Sequence, residues 1–131
     1  MNLSFTVPGI PRPKPRMTRR DQWKQRPIVV NYRDYADRIR AALIDAKRVS
    51  GISDEFEMDG PLAVDLTFVT RKGEERTIVK IWQLEGALKP RVGDIDNFCK
   101  SVLEAMQPFN IVPILIKDDK QVITLTARIE Q

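Results

Sequence analysis

Residues 2 to 8 alternate, with Leu3, Phe5 and Val7 on one side and Asn2, Ser4 and Thr6 on the other. That period predicts a half-buried strand, ended by Pro8-Gly9. From Asn31, read as an N-cap, Tyr32, Tyr35, Ala36, Ile39, Ala42, Leu43 and Ala46 recur at helical spacing, while Arg33, Asp37, Arg40 and Lys47 fall off that face. The pattern predicts a helix over 32–49, closed by Ser50-Gly51. Leu62, Val64, Leu66 and Phe68 alternate with Ala63, Asp65 and Thr67, and a second run over 77–84 is expected to pair with them as a hairpin. Phe98, Val102, Ala105 and Met106 share one face of a second helix, which Pro108 ends. Residues 112–117 and 121–129 read as two further strands, the last with Ile123, Leu125, Ala127 and Ile129 on one side.

Two helices among this many strands can cover only one face of a sheet. The expected fold is therefore α/β of the α+β kind: a two-layer domain in which a mixed β-sheet carries two main helices packed on one face. The 131 residues suit one domain over 1–131, with a basic arm or loop at about 9–30 inside it. Apolar residues are 42% and charged residues 31%, as in a globular chain. No apolar run approaches the roughly 20 residues that span a bilayer, and the N-terminal stretch lacks signal-peptide organisation, so a cytoplasmic protein without a membrane partner is expected.

Charge is distributed unevenly. Residues 1–48 hold 12 Lys/Arg against 4 Asp/Glu, and residues 49–131 hold 10 against 14. The excess is densest where Arg12, Lys14, Arg16, Arg19, Arg20, Lys24 and Arg26 face a single acid, Asp21. Cations at that density suit a polyanion, because each one placed on a phosphate releases condensed counterions. The arginines favour forked contacts to phosphate, and Arg91 adds a basic position farther along the chain. Prolines 8, 11, 13, 15 and 27 predict an extended arm rather than a helix that reads a groove. A solvated basic loop is the plain structural alternative.

With no histidine and one cysteine, Cys99, the chain excludes imidazole bases, an internal disulfide and a cysteine-rich zinc site. Any catalysis must use carboxylates, lysine, arginine and hard cations, with no organic cofactor expected. Asp94 and Asp96, two apart in an extended segment, can face one cation, and Lys100 lies one helical turn beyond Asp96. Asp118 and Asp119 form a second acidic pair between two apolar runs. A cap, a helical ion pair and a charged turn would account for the same residues structurally. Two carboxylate clusters in a basic, histidine-free chain point instead to metal-assisted phosphodiester chemistry, in which a divalent cation neutralises the phosphate and activates water.

Three ordered blocks, PGIPRPKPR at 8–16, Lys89-Pro90 followed by DIDNFCK at 94–100, and DDKQV at 118–122, resemble the RusA-type Holliday junction resolvases, small endodeoxyribonucleases common in phages and prophages. The resemblance implies that Asp94, Asp96 and Asp119 bind catalytic Mg²⁺, for which Mn²⁺ can substitute, and that Lys100 assists catalysis. It matches Asn97, Asp118 and Gln121 to supporting positions. It also implies a homodimer acting on branched DNA in recombination and repair, since a two-fold protein presents two equivalent sites to a four-way junction. Glu104-Ala105-Met106 stands where the family often has Asp-Ala-Leu, outside the site positions. A non-catalytic module for branched or single-stranded DNA, and a scaffold whose arm meets an acidic protein, are the competing classes.

Overall fold

The computed structural model describes residues 2–15, 26–84, 97–109, 113–118 and 121–131. The strand β1 (Asn2–Pro8) buries every second residue as its alternation requires. Beyond it, Gly9 takes φ +102°, and its N–H donates to the Glu75 carbonyl at 3.1 Å. A Cβ on Gly9 would collide with the Arg38 guanidinium, so both conformation and space select glycine here.

The first helix, α1 (Pro27–Val49), begins five residues ahead of the expected 32–49. Asn31 lies inside it rather than at its cap. Pro27 occupies the first turn, where its missing N–H costs nothing, and Arg26 before it is extended, as a residue preceding proline should be. Proline starts this helix instead of denying it. At the other end Gly51, at φ 72°, donates to the Arg48 carbonyl and Ile52 donates to that of Lys47, a Schellman closure.

The hairpin forms as expected from β2 (Leu62–Val69) and β3 (Arg76–Gln83). The second helix, α2 (Asn97–Met106), is followed by β4 (Val122–Glu130), which runs parallel to β2. The sheet order is β1-β3-β2-β4, so β2 lies inside it and is buried at nearly every position. A register shift between Leu62 and Ala63 places Ile123 opposite no β2 residue. Along β4 burial fades, and Ile129 on its expected apolar side is 55% exposed.

The strand expected over 112–117 does not form within the described 113–118, where only a parallel bridge joins Ile116 to Met58. Ile114, Leu115 and Ile116 are all buried, so this run is a plug in the core rather than an alternating strand. Its amides have other partners: Leu115 and Ile116 both donate to the Met106 carbonyl at 3.0 Å, satisfying an acceptor that the end of α2 leaves open.

One cluster joins Leu3, Phe5, Val64, Leu66, Val79 and Ile81 of the sheet to Tyr35, Ile39 and Leu43 of α1 and Val102, Leu103 and Met106 of α2. Cys99 lies within it as a small apolar residue. Among the described residues no helix is long and apolar enough to cross a membrane.

The protein's two tyrosines, Tyr32 and Tyr35, lie on the buried side of α1, and Tyr35 shares a 2.6 Å hydrogen bond with Thr77 of β3. Burial, aided at Tyr32 by the Glu104 carboxylate, pushes both phenols up from 10.0 to about 12. An unfolded chain ionises them first, so their contribution is complete below pH 10 and is lost as the pH rises towards 12, at about 3 kcal/mol each. Absorbance at 295 nm should therefore stay nearly flat through pH 10.5. Both phenols should then ionise together with loss of the near-ultraviolet circular dichroism; ionisation of either near pH 10 with the fold intact would contradict this packing.

Candidate active site

The register brings several chain segments to one end of the sheet. Leu62, at the start of β2, pairs with Gln83 at the end of β3 and with Val122 at the start of β4. Leu84 donates to the Pro61 carbonyl at 2.9 Å as the chain leaves β3. The segment following β3 and the turn preceding β4 therefore both connect to this end.

That turn is held by Gln121. Its Oε1 accepts from the backbone amides of Lys117 at 2.8 Å and Asp118 at 3.1 Å. Its Nε2 donates to the carbonyls of Met58 at 3.0 Å and Gly60 at 3.2 Å. The Gln121 amide returns a 3.2 Å bond to the Asp118 carbonyl, and the Lys117 ammonium pairs with Asp59. This pairing raises the pKa of exposed Lys117. Asp118 is exposed on the turn, whereas Asp119 lies outside the described residues.

Asn97 is the first residue of α2, and Lys100, half-buried, belongs to the same turn of helix. Asp94 and Asp96, immediately before α2, lie outside the described residues, as do Arg16, Arg19, Arg20, Lys24 and Arg91. Of the arm, 11–15 is described and has no regular secondary structure; Pro11 and Pro15 are buried and Arg12 is partly so. Arg12 lines a depression with Asn31, Asp34, Asp37 and Arg38 of α1, and its Nε has no hydrogen-bond partner among the described residues. Lys14 pairs with Glu104 of α2 at 2.5 Å, which ties the arm to the second helix. Arg26 is the N-cap residue of α1. Arg40 adds a cation that the arm did not include, stacked 4.1 Å from the centre of the Phe109 ring.

Lys47 corrects the sequence reading, which placed it off the apolar face of α1. It is fully buried, one step of four beyond Leu43 in the series 35, 39, 43, 47. Its ammonium donates to the carbonyls of Phe56 at 2.7 Å, Asp54 at 3.1 Å and Ile114. Desolvation lowers its pKa, while Asp54 and Glu57 act in the opposite direction. The three carbonyls use all three N–H groups of the charged form. Lys47 thereby pins the 54–56 loop and the plug that leads to the 117–121 turn.

Among the described residues no group of three His, Cys, Asp or Glu is assembled for a metal. The candidates Asp94, Asp96, Asp118 and Asp119 supply only hard carboxylate oxygens, and Asp118 is exposed on a turn fixed by hydrogen bonds, a donor set suited to Mg²⁺.

An arm segment that meets both helices, through Arg12 beside α1 and Lys14 on Glu104, and a hydrogen-bonded turn carrying Asp118 at one end of the sheet define a small α+β protein with basic and acidic groups set on one domain. Comparison with family models makes that class specific: the model for endodeoxyribonuclease RusA matches residues 7–130. The chain belongs to the RusA endodeoxyribonuclease family, and so is an enzyme of the Holliday junction resolvase type, acting on branched DNA in recombination. Neither the curated proteins nor the solved structures contain a match.

Proposed function

We propose that this chain is a Mg²⁺-dependent resolvase that cuts four-way junctions by paired, symmetric phosphodiester hydrolysis, working as one domain over 1–131 and as a homodimer. The observation that carries the reading is the family match, which runs from Val7 to Glu130 and so spans the arm and all four principal candidates. Asp94, Asp96 and Asp119 are the residues that would hold the cation. When bound, Mg²⁺ supplies charge neutralisation at the phosphate and a more acidic water. Lys100 stabilises the oxygen on which negative charge develops as the P–O bond breaks. Asn97, Asp118 and Gln121 support these groups.

Arg12, Lys14, Arg16, Arg19, Arg20, Lys24, Arg26 and Arg91 are the proposed phosphate contacts. They compensate for the acidic cluster, which by itself repels DNA. Lys14 would exchange its Glu104 partner for phosphate. A two-fold dimer fits a substrate that must be cut in two opposed strands. The resemblance to phage and prophage enzymes supports a setting in the bacterial cytoplasm and a role in repair as well as recombination as part of this proposal.

The test is cleavage of an end-labelled synthetic junction and its matched linear duplex, with Mg²⁺, with Mn²⁺ and with EDTA. Paired cuts at symmetric positions are expected in the junction alone and should vanish in EDTA. Tight junction binding with no cut under either metal, over several core sequences, would reject catalysis and leave a binding module.

A further inference from the structure

The geometry points to Gln121 as the positioning residue of the cutting site, a role that deepens the proposed function and rests on Asp119 being a metal ligand. Gln121 makes every hydrogen bond that a side-chain amide offers. The two acceptor directions of Oε1 receive the amides of Lys117 and Asp118, and the two N–H groups of Nε2 reach the carbonyls of Met58 and Gly60. The first pair closes the turn around the side chain. The second fixes that turn to the loop ahead of β2.

Only Asp119 and Lys120 separate Asp118 from Gln121. The residue on each side of that pair is held: Asp118 through its amide and carbonyl, and Gln121 through its bonds to the loop ahead of β2. Mg²⁺ needs near-ideal octahedral oxygens, and a site of that kind loses affinity when its ligands wander by more than about half an ångström. Glutamine suits the position because it both accepts and donates. A glutamate would set a negative oxygen against the Met58 and Gly60 carbonyls, and an apolar residue would supply neither partner.

A purely structural residue would act through the core, but Gln121 is half-buried and contributes no apolar surface to the cluster around α1 and α2. Three of the four groups it binds are in exposed residues, which water can reach when the side chain is removed. Its loss should therefore leave the sheet standing and release the turn.

The experiment compares wild type with Gln121→Met and with Gln121→Asn, which keeps the amide but falls one methylene short of the span. Mn²⁺ binding is read by electron paramagnetic resonance without DNA, amide exchange at 117 and 118 by hydrogen–deuterium exchange, and junction affinity in EDTA. Each folded variant is expected to bind Mn²⁺ at least about tenfold more weakly, as outer-shell partners of metal sites do. The two amides should exchange at least tenfold faster, and junction affinity in EDTA should stay within twofold. Either variant, folded and with wild-type Mn²⁺ affinity, would overturn the assignment, as would equal loss of junction affinity in EDTA. If wild type itself neither binds Mn²⁺ nor cuts, the metal reading fails first and this proposal falls with it.

Discussion

Asp94→Asn protein is expected to bind a four-way junction within about twofold of wild type in EDTA, and to cut it at least a hundredfold more slowly in Mg²⁺. Asparagine preserves the shape of the aspartate but removes the negative oxygen that a hard cation requires. Residues that merely orient metal ligands already cost 10–100-fold when removed, so a ligand should cost at least that much. Junction affinity is read without metal because there it depends on the basic residues rather than on the carboxylates, and losing one negative charge beside DNA should help slightly. Single-turnover cleavage separates the chemical step from binding. An Asp94→Asn protein that folds and cuts normally would return the residue to a turn, and one that fails to fold would make it structural.

How far such roles can be read from sequence depends on what each residue's neighbours contribute. The alternation in 2–8 and the hairpin over 62–83 are local patterns, and the sheet realises both. Pro27 departs from the sequence expectation because its effect depends on position: in a helix interior it breaks the hydrogen-bond ladder, at the first turn it leaves none unmade. The run 114–116 has strand composition, yet its three consecutive side chains are buried in the shared core and the amides of Leu115 and Ile116 are taken by the Met106 carbonyl of α2 rather than by a neighbouring strand. Periodicity along the run carries no information about that distant acceptor.

The candidate site divides in the same way. DIDNFCK and DDKQV identify acids and a lysine by type and order, which suffices for the family. The bonds of Gln121 to residues 58 and 60 cannot be foreseen, because the 58–60 loop is some sixty positions away in sequence. Lys47 was more legible than the charge rule allowed: it continues the spacing of Tyr35, Ile39 and Leu43. A lysine on an apolar stripe is ordinarily assigned to solvent because burying its charge is costly unless acceptors surround it, and those acceptors are backbone groups that the sequence does not display.

Lys47→Met should therefore destabilise the fold by about 2–4 kcal/mol, since among the described residues Lys47 is the charged side chain that is fully buried. Methionine fills similar space without N–H groups, leaving the carbonyls of Asp54, Phe56 and Ile114 without this donor. A buried acceptor left unpaired costs about 1–3 kcal/mol, and the total stays below three such losses because methionine also removes the desolvation that depresses the lysine's pKa. That depression has a sign of its own. With the folded value below 10.5, the unfolded chain holds the proton more tightly, so this group's contribution falls as the pH drops through the folded value and is complete only above 10.5. It opposes the two tyrosines over the alkaline range, and the variant should lose stability more steeply above pH 10 than wild type. Urea unfolding at pH 7 should show the midpoint falling by about 1–2 M with little change in slope, given slopes of 1–3 kcal/mol/M for small proteins. A midpoint within about 0.3 M of wild type would mean that water replaces the ammonium at all three carbonyls. Loss of this anchor also frees the 113–118 plug from α1, so below its melting temperature the variant should cut junctions more slowly while binding them normally, because the plug leads directly to Asp118 and to the turn held by Gln121.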